Sequence, residues 1–249
     1  MGLTIHYSLS SKVRSPEKAR ELVAKLHSRA RDLPFAEVGD IVDLEGDACD
    51  FNKCHNEDPT CWLLVQAGKY INRPARDGTH HSYQVAPTHV IAFPTLPGAG
   101  SEMANFGFCR YPSVIEVQEE ERYVRGEGFV CPTRRVRTGL SGWQWSSFCK
   151  TQYASNSKHG GVENFLRCHL VVIRLLDQAK DLGILDEVSD EGNFWEQRDI
   201  RALAEGVGHW NEMIAAFAGR LKDEMGEGVV AEITGFPDFE HLEAKGRPS

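Results

Sequence analysis

Apolar and polar residues alternate at the start of the chain, with Leu3, Ile5 and Tyr7 set against Thr4, His6 and Ser8. A period of two predicts a half-buried strand. The period then changes. Ala19, Leu22, Val23, Leu26 and Ala30 form one helical stripe. Ser15 caps it, Pro16 suits its first turn, and Leu33-Pro34 ends it. Val38 to Leu44 reads as a second strand, so the segment from Leu3 to Leu44 predicts a β-α-β unit.

The middle of the chain is strand-like and irregular. Residues 45–60 form a polar, Asp-rich loop. Trp62 to Ala67 and His89 to Phe93 predict short strands. Between them lies an irregular stretch containing Pro74, Gly78 and His80-His81, and Pro94 to Gly100 is turn-rich. Val114, Ile115 and Val117 start a strand that runs through Gln118 into the acidic run Glu119 to Glu121. Phe129-Val130 follows after Gly126 and Gly128. The last third turns helical. Phe165, Leu166, Leu170, Val172, Ile173, Leu175 and Leu176 predict a helix apolar on most sides, hence buried, and ended by Gly183. Asn193 with Glu196 resembles a capping box for the stripe Ile200, Leu203, Val207, Trp210, Ile214, Phe217 and Leu221. Gly206 and Gly208 predict a kink there. Val229 to Ile233 reads as a final strand and Phe236 to Ser249 as a tail.

Strands and helices do not alternate cleanly after Leu44. The expected class is therefore α+β: a strand-rich N-terminal part that opens with β-α-β, and a helical C-terminal third packed on a mixed sheet. No linker divides residues 1–249, so one domain is expected, with a strand-rich lobe (1–155), a helical lobe (156–235) and the tail (236–249).

Composition narrows the class. With 41% hydrophobic and 26% charged residues in 249, the chain is long enough to bury a core without staples. The net charge of -8 argues against a protein that coats double-stranded DNA or an anionic membrane with its whole surface. No apolar run approaches the roughly 20 residues of a membrane span. The N-terminus does not read as a signal peptide. Seven cysteines, an odd number, with no Asn-x-Ser/Thr sequon, point to reduced thiols in the cytoplasm.

Charge is unevenly distributed. From Arg122 to Arg167 eight basic residues face two acidic ones, Glu127 and Glu163, which leaves +6 in this window and -14 elsewhere. Cations interleaved with aromatics suit an anionic small molecule or nucleotide. The expected cleft draws Arg134, Arg137, Lys150 and Lys158 to phosphate or carboxylate groups. Trp143, Trp145 and Tyr153 flank a ring, and Gln144 and Gln152 read its edge. The competing reading makes the arginines a solvated face and the tryptophans core. Ser155 to Gly161 before a helix, and Pro97 to Glu102 after a strand, are glycine loops of the kind that approach anions, though neither matches a phosphate-binding fingerprint.

If hydrolysis accompanies binding, Glu163 and His169 are the acid–base candidates, with Glu102 as a further carboxylate and Cys149 beside His169 as a nucleophile. His169 also falls on an apolar stripe, where a buried neutral histidine is the plain alternative. Cys49, Cys54, His55 and Cys61 are candidate zinc ligands for the Asp-rich loop, although their spacing is looser than usual. Two other readings stay open: a non-catalytic protein-binding or immunity-type module using the acidic surface, and a zinc-stabilised structural fold.

Overall fold

The structure, a computed structural model, describes residues 3–53, 60–74, 79–118, 122–124, 128–226 and 231–247. In chain order its elements are β1 (Thr4–Ser11), α1 (Pro16–Arg31), β2 (Glu37–Val38), β3 (Val42–Glu45), α2 (Thr60–Ala67), β4 (Lys69–Pro74) and β5 (His80–Val85). Then come β6 (His89–Leu96), β7 (Ala104–Arg110), β8 (Val114–Gln118), β9 (Arg122–Val124), β10 (Gly128–Val130), β11 (Thr133–Arg137) and β12 (Trp143–Lys150). The C-terminal part holds α3 (Gly161–Asp181), β13 (Leu185–Asp190), α4 (Phe194–Gln197), α5 (Ile200–Met225) and α6 (Phe239–Gly246).

The chain is α+β. Its main sheet has the order β13-β1-β12-β7-β6, with β2 and β3 both paired to β6. Neighbouring strands run antiparallel. It follows that β1 and β3 point the same way with three strands between them, so the opening β-α-β unit is split and α1 spans the gap. Ser15 caps α1, its side chain accepting from the Lys18 amide at 3.3 Å. The apolar stripe Ala19, Val23, Leu26 and Ala30 is buried against the sheet and α3. Strands β6 and β7 are almost wholly buried, as strands covered on both faces must be. Phe106 stacks between Tyr7 and Phe93 at 4.9 and 5.9 Å between ring centroids.

One junction in the sheet is irregular. β12 and β7 share a single register pair, Gln144 with Cys109. Beyond it the Asn105 carbonyl accepts from the Tyr7 hydroxyl at 2.8 Å and the Trp145 indole N–H at 2.7 Å. Two buried side chains, one from β1 and one from β12, are thereby tied to β7.

Several elements differ from the sequence reading. Trp62 to Ala67 belongs to a helix, α2, which buries Cys61, Leu63, Leu64 and Ala67 and leaves Trp62 and Val65 outside. A short apolar run carries no period that separates the two states. The stretch around His80-His81 forms the β4–β5 hairpin. Val38 to Leu44 breaks into β2 and β3, where Gly39 lies against Pro94. Asn193 is left-handed (φ 55°) and caps nothing with its side chain. Asp199 caps α5 instead, accepting from the amides of Arg201 at 2.8 Å and Ala202 at 3.2 Å. α5 runs unbroken through Gly206 and Gly208. Residues 232–235 form a 3-10 turn, while Val229 and Val230 lie outside the described residues. The expected tail carries α6, and Ile233, Phe236 and Phe239 build a second small core with Ala215 and Ala218 of α5. No helix among the described residues is long and apolar enough to cross a membrane.

Candidate functional site

Alternation along β1 and β12 separates two faces. Ile5, Tyr7 and Leu9 pair with Cys149, Ser147 and Trp145, and all six are buried. His6, Ser8 and Ser10 pair with Phe148, Ser146 and Gln144, and this polar face is open. β13 extends it. A register shift between Ser8 and Leu9 sets Leu185 opposite Leu9 and Glu187 opposite Ser8, leaving Asp186 as the extra residue. A bulge of this kind turns one side chain away from strict alternation. Asp186 and Glu187, neighbours in sequence, consequently both line the open face, and the Ser8 hydroxyl donates to Asp186 at 3.3 Å.

Three cavities follow one another along this face. The first, about 610 Å³, sits where the C-terminal ends of β1 and β7 meet the start of β12. Lys12, Arg14 and Arg110 line it, with Ser10, Ser11 and Ser141. Its lining contains no carboxylate, and none of its three cations has an ion pair among the described residues. Gly142 closes it with φ 70°; a Cβ there would sit 2.8 Å from the Ser11 carbonyl oxygen, so glycine fits both the turn and the close approach.

The second cavity, about 350 Å³, shares Ser10 and Gln144 with the first and adds Lys69, Asp186 and Glu187. Lys69 donates to Gln144 Oε1 at 2.9 Å and lies 5.7 Å from the Tyr111 ring centroid. Burial lowers its pKa from the usual lysine value. The third, about 370 Å³, shares Ser8, Ser146 and Glu187 with the second and is bounded by His6, Phe148 and Ser189. The charge lining this furrow changes sign along it, from cations at the strand ends to carboxylates on β13.

No protein-family model, no curated protein and no solved structure matches the chain. Its site is therefore read from geometry alone.

The structure divides the residues expected to form one cleft. Arg134 and Arg137 lie on β11, which among the described residues pairs with β8 alone. Arg134 donates to the Tyr83 hydroxyl at 2.7 Å, and the Arg137 carbonyl accepts from Arg73. Lys150 stands at the far end of β12, about 23 Å along the strand from Trp143 at 3.3 Å per residue. It donates to the Tyr153 hydroxyl at 3.2 Å and lies 4.5 Å from that ring. Lys158 pairs with Glu232 at 3.8 Å. Trp143 and Trp145 are each 1% exposed and belong to the core. Gln152 is fully buried: its amide oxygen accepts from the Leu3 N–H at 3.2 Å, and its nitrogen donates to Asn211 at 2.9 Å. Of the expected ligand contacts, Gln144 and the edge of Trp143 line the basic cavity.

The two glycine loops do meet. Asn164, in the first turn of α3, donates to the carbonyls of Ala99 at 2.9 Å and Ala154 at 3.0 Å. A Cβ on Gly100 would strike the His159 ring. Gly100 lets the first loop pack against the second, and Gly98 lets it pack against Cys168 and Arg167 of α3.

Cys149 and His169 of the expected catalytic set are likewise taken up by the fold. Cys149 is fully buried and donates to the Glu102 carbonyl at 3.3 Å. Burial first, then the charges of Glu102 and Cys168, push its thiol well above the usual range, the reverse of an activated thiolate. His169 is also fully buried, between Thr151 Oγ1 at 3.0 Å and Asp190 Oδ2 at 3.2 Å. Glu163 is exposed in the first turn of α3. Among the metal candidates, Cys54 and His55 lie outside the described residues. Cys61 is disulfide-bonded, contrary to the expectation of reduced thiols throughout, and this removes it as a thiolate ligand. Cys49 donates to the Leu44 carbonyl, and burial pushes its pKa up to about 11. The described residues contain no group of three or more His, Cys, Asp or Glu placed to hold a metal ion.

Sequence reading passed over Lys12, Arg14, Lys69, Arg110, Asp186 and Glu187. A signal for two of them was present: Lys12 and Arg14 directly follow a strand whose polar face is serine at Ser8 and Ser10. Arg110 and the two carboxylates became neighbours of that strand only through long-range pairing.

Proposed function

We propose that the protein binds an anionic group, phosphate or carboxylate, in the basic cavity at the ends of β1, β7 and β12. The convergence of Lys12, Arg14 and Arg110 on one concave site, with no carboxylate among the described residues of its lining, carries this reading. Surface cations ordinarily find acidic neighbours in a chain of net charge -8, and a cluster left unpaired in a cavity costs electrostatic repulsion that a bound anion relieves. Ser10, Ser11 and Ser141 add neutral donors. Among the described residues the lining holds no histidine or carboxylate to act as acid or base, which favours binding without turnover.

Calorimetric titration with inorganic pyrophosphate at low ionic strength tests it. Saturable 1:1 binding is expected. Arg110→Ala should weaken it about fivefold, the effect of ~1 kcal/mol, and rising salt should weaken it further. Identical isotherms for the wild type and the Lys12→Ala/Arg110→Ala double variant would overturn the proposal.

A further inference from the structure

The basic cavity opens into a furrow whose other end is acidic, and the two ends are joined by shared walls. Gln144 and Ser10 line both the first and second cavities; Ser8, Ser146 and Glu187 line both the second and third. The β13 bulge places Asp186 and Glu187 side by side in the second cavity, where Lys69, turned toward Gln144 and Tyr111, is the one cation among the described lining residues, so this part of the furrow is net negative. A ligand that filled the whole furrow would carry opposite charges at its two ends. Its length is set by the strand beneath it. From Ser11 to Ser8 is three residues, about 10 Å, and from Ser11 to His6 five residues, about 17 Å. The floor between the ends presents hydroxyls (Ser8, Ser10 and Ser146), groups that both donate to carbonyls and accept from N–H. Beyond the carboxylates stands Phe148, 45% exposed, an apolar surface beside His6.

We infer that the furrow binds the carboxyl-terminal end of an extended polypeptide, its terminal carboxylate among Lys12, Arg14 and Arg110 and a basic side chain three or four residues upstream against Asp186 and Glu187. The inference rests on the anion-binding reading above and adds the polymer, its direction and its upstream charge. A single small anion would leave the two carboxylates of the second cavity with Lys69 as their one cation. A poly-anion such as a nucleic acid strand would be repelled by these carboxylates. An extended peptide satisfies both ends, and its backbone amides supply a partner for each hydroxyl on the floor.

The test uses the full-length chain, immobilised, and a pool of N-acetylated hexapeptides. Lysine is fixed four residues from a free carboxyl end and the other positions are mixed; retention is read by mass spectrometry. Two comparison pools carry a carboxyl-terminal amide, or glutamate in place of the lysine. The free-acid lysine pool should be retained about fivefold more than either. Arg110→Ala should abolish the advantage of free acid over amide and leave that of lysine over glutamate. Asp186→Asn/Glu187→Gln should do the opposite. All these side chains are exposed, and melting curves of the variants check that they fold. Equal retention of acid and amide pools, or greater retention of the glutamate pool, overturns the inference. No retention of any pool by a protein that still binds pyrophosphate also overturns it and leaves the anion reading standing. Failure of both probes removes both.

Discussion

His169 and Asp190 form a buried pair where α3 meets β13. Asp190 also accepts from the Gly192 amide at 2.8 Å and the Trp195 amide at 2.9 Å, so every polar atom of the carboxylate is used. Burial by itself would raise the pKa of this carboxyl. The hydrogen bond and charge of His169, with the two amides, outweigh it and hold the value below the ordinary aspartate range. A carboxyl whose pKa is lower folded than unfolded contributes stability that is complete above the unfolded value, near 4, and is lost as the pH falls through the folded one. Urea midpoints measured from pH 7 down to pH 3 should therefore fall steeply in the acid limb. Asp190→Asn should be less stable at pH 7 and show a shallower acid limb; parallel profiles for the two proteins would refute this account. Thr151, Gln152, Ser155 and Asn211 belong to the same kind of buried polar network, with Gln152 and Ser155 both bonded to Asn211. Such networks specify one arrangement of neighbours when every member is satisfied.

At the scale of elements, caps and turns set where each helix begins and the sheet sets where each face points. Asp199 satisfies two amides at the start of the 26-residue α5, so Asp199→Ala should lower stability by about 1 kcal/mol in chemical denaturation. Asn193→Ala, at the position that sequence spacing favoured, should lack this capping loss. The contrast shows which parts of the fold were legible. Ser15-Pro16 and the stripe of α1 are local signals, as are the stripe of α3 and its end at Gly183, and each matches the structure. The choice between Asn193 and Asp199 turns on a left-handed φ fixed by the Asp190 turn, which no spacing in the sequence encodes. The furrow was legible only in part for the same reason. Polar alternation at Ser8 and Ser10 is visible in the sequence. The arrival of Arg110 and Asp186 beside it is a property of strand order.

For the whole molecule, the two expected lobes are stitched together through the first strand. The Thr4 amide is held by Glu191 at 2.9 Å and the Ser10 amide by the Ile184 carbonyl at 2.8 Å, both from the helical part. One core extends from Leu3 to Val207. Heat and urea should accordingly unfold residues 1–225 in one transition, with circular dichroism and tryptophan fluorescence giving coincident curves; separate midpoints would mean that the helical part folds by itself. The place of β1 in the sheet also has a consequence in time. Its two neighbours, β12 and β13, begin at Trp143 and Leu185. At roughly 5–20 residues per second, a ribosome needs about 7 to 28 seconds after finishing β1 before β12 is complete, and longer for β13. Throughout that interval the nascent chain carries an unpaired strand with three buried-to-be residues, Ile5, Tyr7 and Leu9, facing one side. β1 is thus made well before either of its partners, and His6, Ser8 and Ser10 on its other face keep it soluble while it waits.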